Sequence, residues 1–379
     1  MLDAMKIQRY YETLSDWIEP NKVLVIFGPR QVGKTTLLHD YLHQTKLRYR
    51  LDNGDNLSIH QIFGSRDFSK IKEYVQGYDL IAIDEAQLIP NIGACLKIMV
   101  DQIPGIRIVV TGSSSFELAG QIGEPLVGRK RTLHLFPISQ MELRKMYNLF
   151  DLKQKLEESI VFGGYPEVVT SLSKPKKIRI LEDIINSYLL KDILSLERVK
   201  GTKTILDLLR LLAFQVGSEV SYHELGQQLG IDSKTVARYI DLFEKSFILV
   251  SLHGYSTNLR KEIRKKNKYY FYDTGIRNAL VGNFNEFSMR NDVGILWENF
   301  LFIERYKKCS YQDFFGYRYF WRTWDSHEVD LVEEWGGKIT GYEFKWKQET
   351  SKQEKYWKLA YPEALFQIIN QDNYLEFIL

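Results

Sequence analysis

Val23-Leu24-Val25-Ile26-Phe27-Gly28-Pro29-Arg30-Gln31-Val32-Gly33-Lys34-Thr35-Thr36-Leu37-Leu38 is the stretch on which the fold turns. Five apolar residues of strand length run into G-x-x-x-x-G-K-T, and a helical run begins at once. The glycines let the backbone curl so that amide groups and a helix N-terminus, with its partial positive charge, face an anion. A lysine ammonium and a hydroxyl complete the set: Lys34 reaches the β- and γ-phosphates and Thr35 offers its oxygen to Mg²⁺. Gly28, Pro29, Arg30, Gln31, Val32, Gly33, Lys34, Thr35 and Thr36 are therefore expected to bind nucleotide, with ATP and Mg²⁺ as cofactors.

Further along, Leu80-Ile81-Ala82-Ile83 ends in Asp84-Glu85, the pattern of a buried central strand that delivers carboxylates to the C-terminal edge of a sheet. Asp84 is expected to hold Mg²⁺ and Glu85 to polarise the attacking water. Thr111-Gly112-Ser113-Ser114 closes the strand Ile108-Val109-Val110, where Thr111 and Ser113 are expected to sense the γ-phosphate; a simple turn is the competing reading. In Gly128-Arg129-Lys130-Arg131, Arg129 is expected to bring a cation to the transition state, in cis or from a neighbouring subunit. A solvated basic turn explains that segment as well.

Around these motifs, residues 20 to 136 alternate short apolar runs with helical segments, as a parallel sheet covered on both faces requires. The expected strands are Val23–Phe27, Leu47–Asp52, Leu80–Ile83, Arg107–Thr111 and Thr132–Leu135. After Phe136-Pro137 the alternation stops, and helices are expected over Met141–Asn148, Leu152–Phe162 and Ile178–Leu196.

The bulk composition bounds the rest. With 379 residues and 44% hydrophobic content the chain can build two or three cores. A formal net charge of +3 is too mild to predict a nucleic-acid partner, so such contact needs local clusters. Met1 to Lys6 lack the order of a signal peptide, and runs such as Val23–Phe27 are too short to span a bilayer; a cytoplasmic chain without a membrane partner is expected. Cys95 and Cys309 stand far apart without metal-type spacing, so both read as reduced, packed thiols.

The nucleotide motifs, with Asp84-Glu85-Ala86-Gln87, Thr111-Gly112-Ser113-Ser114 and Gly128-Arg129 before Phe136-Pro137-Ile138, resemble the AAA-type ATPases in order and spacing. More narrowly, the whole chain resembles a prokaryotic group of AAA-type ATPases whose C-terminal region is a domain of unknown function. Tyr188-Leu189-Leu190-Lys191-Asp192-Ile193 and Phe271-Tyr272-Asp273-Thr274-Gly275-Ile276 carry that second half. The resemblance implies an α/β fold: a P-loop NTPase parallel sheet over 1–136, a helical lid and connector over 137–196, a winged helix-turn-helix over 197–290 and an α/β nuclease-like domain over 291–379. It also implies that a partner protein or a homo-oligomer is possible, because related STAND-like ATPases assemble proteins.

Two segments outside the ATPase core carry their own patterns. Val220 to Gly230 followed by Ile231 to Ile240 reads as helix, tight turn at Gly230 and helix capped by Asp232 or Ser233. Ser233, Lys234, Thr235 and Arg238 lie on the exposed start of the second helix, while Val236, Ile240 and Phe243 face a core. Arg260 to Lys268 carries six cations against one acid, as a wing contacting phosphates would, with Lys265 and Lys266 at its centre. DNA contact and a protein-packing module with a solvated hairpin both fit.

His327 to Val332 and Ile339 to Trp346 alternate around Trp335-Gly336-Gly337, hence a hairpin. Asp330, Glu343 and Lys345 form an acid followed by Glu-x-Lys, in which two carboxylates hold Mg²⁺ and a lysine helps activate water. The pattern resembles the PD-(D/E)xK nucleases, with Val329 in place of the proline; Glu298 matches the early glutamate of that family. A charged hairpin face without chemistry is the alternative. The aromatic run from Tyr311 to Trp324 can stack bases, but a sheet core demands the same residues, and core packing is the preferred reading. The functional expectation is an ATP-hydrolysing enzyme coupled to a DNA-binding or nuclease-like C-terminal region; the alternative is a nucleotide-gated DNA-binding regulator or protein-assembly switch without nuclease activity.

Overall fold

The computed structural model describes residues 7–113, 126–189, 202–255, 267–347 and 350–379. They fall into two compact units, one built from Arg9–Phe136 with Lys245–Phe247, the other chiefly from Pro137–Glu244 and Ile248–Leu379.

The first unit is a parallel sheet of five strands: β1 (Val23–Phe27), β2 (Tyr49–Asn53), β3 (Leu80–Asp84), β4 (Arg107–Gly112) and β5 (Lys130–His134). Their order is β2-β3-β4-β1-β5. Every residue of β1 and β3 is buried, which accounts for their unbroken apolar sequence: with both faces covered there is no wet side for alternation to mark. Helices Lys34–Gln44, Leu57–Gly64, Phe68–Val75 and Ile92–Gln102 fill the crossovers. The order inserts β4 between β1 and β3, with Phe27 opposite Gly112 and Ile83 opposite Val110. Three strand ends that are far apart in sequence thereby meet at one edge.

In the second unit the expected helix over 141–148 is broken. Ser139 and Glu142 form a reciprocal capping box on the short helix Gln140–Leu143, and Asn148 caps a new helix, Leu149–Gln154, by accepting from the Asp151 amide at 2.9 Å. A side chain that competes for backbone donors starts helices better than it continues them. The helix expected to start at Ile178 begins earlier, at Lys174 with Pro175 in its first turn, and gives way to π-helical Ile184–Leu189; its expected remainder to Leu196 lies outside the described residues.

Next come helices Thr202–Phe214, Tyr222–Leu229 and Ser233–Lys245, then the antiparallel pair β6 (Leu249–Gly254) and β7 (Lys268–Phe271). Helices Thr274–Val281 and Val293–Tyr311 lead into β8 (Tyr317–Arg322), β9 (Glu328–Trp335) and β10 (Lys338–Phe344), then helix Gln353–Ala360 and β11 (Leu365–Ile369). The expected hairpin is β9–β10: Trp335 pairs with Lys338 across Gly336 (φ 57°) and Gly337 (φ 75°), the left-handed pair that a two-residue turn between twisted strands needs. One six-stranded sheet, β11-β10-β9-β8-β6-β7, runs through both expected C-terminal modules, joined by the parallel pairs His253–Tyr319 and Gly254–Phe320.

Tyr311, Phe320 and Trp321 are buried, with Trp321 packed edge-on against buried Trp357, as the core reading expects. Phe315, Tyr317 and Trp324 are exposed instead. Both cysteines are buried free thiols. Among the described residues no helix is long and apolar enough to cross a membrane.

The Phe271 to Ile276 segment has a structural reason for its composition. Buried Asp273 accepts from the Gly164 amide at 2.7 Å and, as N-cap of Thr274–Val281, from the Ile276 amide at 3.1 Å. A Cβ on Gly163 would meet the Asp273 carboxylate at 2.1 Å, so Gly163 and Asp273 are fitted to each other. Asp273→Ala orphans two buried amides and is expected to lower the stability of this unit by about 3 kcal/mol in urea titrations. An unchanged midpoint would contradict this account.

Candidate functional site

The loop after β1 is shaped by close approach. A Cβ on Gly28 would come within 2.0 Å of the Leu135 carbonyl oxygen, so only glycine fits there. Gly33 precedes the helix Lys34–Gln44 with φ 94°, a left-handed conformation that turns the chain into the first helical turn, where Thr35 and Thr36 are exposed. Lys34 is buried and donates to the carbonyls of Gly28 at 2.9 Å and Pro29 at 2.7 Å, which arches the loop over its own lysine. Arg9 is a residue the motif did not reveal. Its guanidinium donates to the Val32 carbonyl and, at 2.6 Å, to that of Phe136, tying the loop to the segment after β5.

Asp84 is the hub of the sheet edge. Its Oδ2 accepts from the Thr35 hydroxyl at 2.8 Å, and its Oδ1 accepts from the Thr111 hydroxyl. Thr111 in turn accepts from the Glu85 amide at 3.1 Å. Thr111 thus stands between the two nucleotide motifs, where the insertion of β4 carries it. Glu85 adopts φ 49°, and its Oε2 accepts from the Gln87 side chain, whose amide also donates to buried Ser113 at 3.0 Å. Gln87 was overlooked as a site residue; its place two positions after Glu85, in the short turn Ala86–Leu88, was the only signal. Ser114 lies outside the described residues.

Arg129 is elsewhere. Its carbonyl accepts from the Val23 amide at 2.9 Å, and its side chain pairs with Asp101 at the end of helix Ile92–Gln102. It therefore adjoins the start of β1, whereas the nucleotide loop follows the end of that strand, about 16 Å along it. The in-cis role expected for Arg129 does not survive this register; the basic turn is paired on the far edge.

The second cluster lies on β7, β9, β10 and the helix Val293–Tyr311. Asp330 accepts from the Phe344 amide at 2.7 Å. Lys345, just beyond β10, pairs with Glu343 Oε1 at 2.7 Å, and Ser351 donates to the same oxygen at 3.4 Å. Glu343 is 3% exposed and its Oε2 has no hydrogen-bond partner among the described residues. Glu298 accepts from the Tyr270 hydroxyl at 2.7 Å and faces Lys268 Nζ at 3.5 Å. Lys268, expected from the sequence to be the last cation of a phosphate-contacting stretch, is instead 1% exposed and forms a second ion pair with Glu328.

Burial dominates the electrostatics here. Burial, opposed by Lys268 and reinforced by Asp330, pushes Glu298 up to about 7. Burial and then the Asp330 charge push Glu343 up to about 7 as well, with Lys345 opposing. Asp330 is raised by burial against the pull of Lys268. Lys345 is held above its ordinary value: burial works against it, but the hydrogen bond and charge of Glu343 prevail. Among the described residues no group of three or more His, Cys, Asp or Glu side chains is arranged to hold a metal ion. The arrangement on offer is narrower, with Asp330 and Glu343 as two carboxylates beside one lysine.

In the helix pair, Ser221 caps Tyr222–Leu229, Gly230 ends it in the left-handed conformation, and Asp232 accepts from the Thr235 amide at 2.9 Å to start Ser233–Lys245. Lys234 and Arg238 are exposed, Ser233 is half-buried, and Val236, Ile240 and Phe243 are buried. Lys265 and Lys266 lie outside the described residues.

Residues 20–144 match the family described as AAA domain. Residues 153–286 and 293–376 match two domains of unknown function, DUF8612 and DUF4143. An uncharacterized protein of Mycobacterium tuberculosis is 27% identical over 327 residues, 85% of this chain and 70% of its own. One of Haemophilus influenzae is 25% identical over 354 residues, 86% of this chain and 82% of its own. A solved structure of RuvB from Thermotoga maritima aligns at 16% identity and TM-score 0.32, covering 60% of this chain and 81% of that one, too loosely to carry an argument. The domain match and the loop on its parallel sheet make the first unit an ATP-binding domain of the AAA type, followed by regions of unknown function.

The raised carboxyls set a pH dependence. A carboxyl whose folded value lies near 7 against about 4.3 unfolded contributes stability that is complete below the unfolded value and lost as pH rises through 7. The second unit is therefore expected to melt at a lower temperature at pH 8 than at pH 5.5, with Glu343→Gln flattening the difference. A melting temperature that rises with pH across this window contradicts the geometry.

Proposed function

We propose that the chain is a Mg²⁺-dependent ATPase whose nucleotide turnover acts on a DNA-handling second unit. The observation that carries the first part is the hydrogen-bonded chain Thr35–Asp84–Thr111, with Glu85 attached to it through its own amide. The Thr35 hydroxyl and the Asp84 carboxylate already share one locus, which fits a divalent cation with oxygen ligands. Bound there with ATP, Mg²⁺ would neutralise charge on the phosphates. Lys34 and the loop amides bind the phosphates, Thr111 keeps Asp84 oriented, and Gln87 holds the Glu85 carboxylate so that it receives the proton of the attacking water. Arg129 enters this reading only in trans, at the nucleotide of a neighbouring copy.

Lys34→Ala is expected to weaken ATP binding at least about tenfold, since it removes the charge-assisted contact to the phosphates. Glu85→Gln is expected to bind ATP like the wild type while losing about 100-fold or more in turnover, the scale of a positioned base. Titration with a fluorescent ATP analogue and phosphate release separate the two; full turnover by Glu85→Gln would refute the role of Glu85.

For the second unit, the support is a winged-helix-like element order with exposed Lys234 and Arg238, and the Asp330, Glu343 and Lys345 group. The orphaned, buried Oε2 of Glu343 is an acceptor in want of a cation, which fits Mg²⁺ between Glu343 and Asp330. Lys345 would then orient the water for phosphodiester cleavage. Labelled duplex and single-stranded DNA, with Mg²⁺ or Mn²⁺ and with or without ATP, should give products that Lys345→Ala no longer forms. If the ATP-competent wild type cleaves nothing, the region binds DNA or a partner protein without cutting, and the chain is a nucleotide-gated regulator.

A further inference from the structure

Besides Lys345, the acidic cluster holds a second, more deeply buried cation. Lys268 projects from β7 and is 1% exposed, yet its ammonium reaches carboxylates on two other elements: Glu298, on the helix Val293–Tyr311, at 3.5 Å and Glu328 on β9. Glu298 is further engaged at the same Oε1 by the Tyr270 hydroxyl at 2.7 Å, two residues along β7. On the other side of the cluster, among the described residues, Glu343 keeps one buried oxygen with no hydrogen-bond partner, and Asp330 Oδ2 accepts from the Phe344 amide.

We propose that Lys268 is a positioning residue that takes the place of one cation in this site. It engages Glu298 and Glu328 and so confines a divalent ion to a single position between Asp330 and Glu343. The inference rests on reading Asp330 and Glu343 as a divalent-cation site, and goes beyond it by removing Glu298 from the ligand set. Three considerations lead there. A buried ammonium in contact with two carboxylates offsets half of their formal charge, which lowers their attraction for a second ion. Tyr270 and Lys268 both hold Glu298 at Oε1, so turning that oxygen toward an ion gives up the two contacts together and leaves a buried lysine short of a partner. Among the described residues of the cluster the orphaned acceptor lies on Glu343, so the unmet demand for positive charge is on that side.

Mn²⁺ binding by the nucleotide-free full chain, followed by electron paramagnetic resonance of the free ion, tests this without any activity assay. In an Asp84→Asn background, which removes the carboxylate of the nucleotide centre, the chain is expected to bind one Mn²⁺, and Asp330→Asn or Glu343→Gln to weaken it at least about tenfold by removing a ligand charge. Glu298→Gln, which keeps Lys268 and the shape of the site, is expected to leave that affinity within about twofold. Lys268→Met is expected to raise the stoichiometry to two, with the second ion lost again in Lys268→Met combined with Glu298→Gln.

The double variant removes the buried charge and one of its two counter-charges, leaving only Glu328, which is 26% exposed and has Arg322 at 3.7 Å, so less charge stays uncompensated than in the single variant. If Glu298→Gln weakens Mn²⁺ as much as Asp330→Asn does, or if folded Lys268→Met still binds one ion, the role of Lys268 is overturned while the metal site stands. If Asp330→Asn changes nothing, or no variant binds Mn²⁺, the reading of the site itself falls, and the inference with it.

Discussion

Asp84 is the residue on which the nucleotide unit depends. A parallel sheet buried on both faces can bring polar groups together only where its strands end, and Asp84 ends the fully buried strand β3. Its two oxygens satisfy Thr35 from the helix after β1 and Thr111 from β4, so one carboxylate fixes the mutual register of three elements. The buried β1 and β3 strands and the insertion of β4 are what carry the three hydroxyl and carboxylate groups to one place. Arg9 and Gln87 extend that logic outward, one by bracing the loop carbonyls and the other by holding Glu85 and Ser113.

The second unit solves a different problem: how to keep several carboxylates under a sheet. Glu298, Glu328, Asp330 and Glu343 come from three elements, and isolated buried carboxylates are costly enough to take up protons instead. Lys268 and Lys345 offset that cost unevenly. Lys268 serves Glu298 and Glu328 from β7, Lys345 serves one oxygen of Glu343 from beyond β10, and the remaining oxygen has no hydrogen-bond partner among the described residues. The asymmetry is a product of the shared sheet, since the strand that carries Lys268 belongs to the helix-rich part of the chain and the others to its terminal part.

Where a signal was local and repeated, it could be read directly. The apolar runs of β1, β3 and β4, the glycine pair at Gly336-Gly337 and the cap at Asp232 each announced their element, because strand burial, turn handedness and capping are decided within a few residues. The helix over 141–148 was misread because Asn148 fits a helical pattern by neighbourhood and a cap by chemistry, and the cap won. The in-cis role of Arg129 fails for a different reason: its residue type suits phosphate, but only the pairing of Val23 with Lys130 reveals which end of the sheet it occupies. Arg9 and Gln87 are reached only through tertiary contact, and a lone arginine or glutamine carries no pattern of its own, while Lys268 reads as one more cation of the basic stretch Arg260 to Lys268 until tertiary contact buries it against Glu298 and Glu328.

The central claim is that Asp84 organises a Mg²⁺-dependent ATPase centre, and steady-state phosphate release by the Asp84→Asn variant tests it most directly. Asparagine keeps the size of the side chain and can still bond Thr35 or Thr111, but it lacks the charge that a divalent cation needs. Turnover in Mg²⁺ is predicted to fall by about 100-fold or more while the fold and its melting profile persist. Turnover within about twofold of the wild type would contradict the account, because no other carboxylate contacts the Thr35 hydroxyl among the described residues.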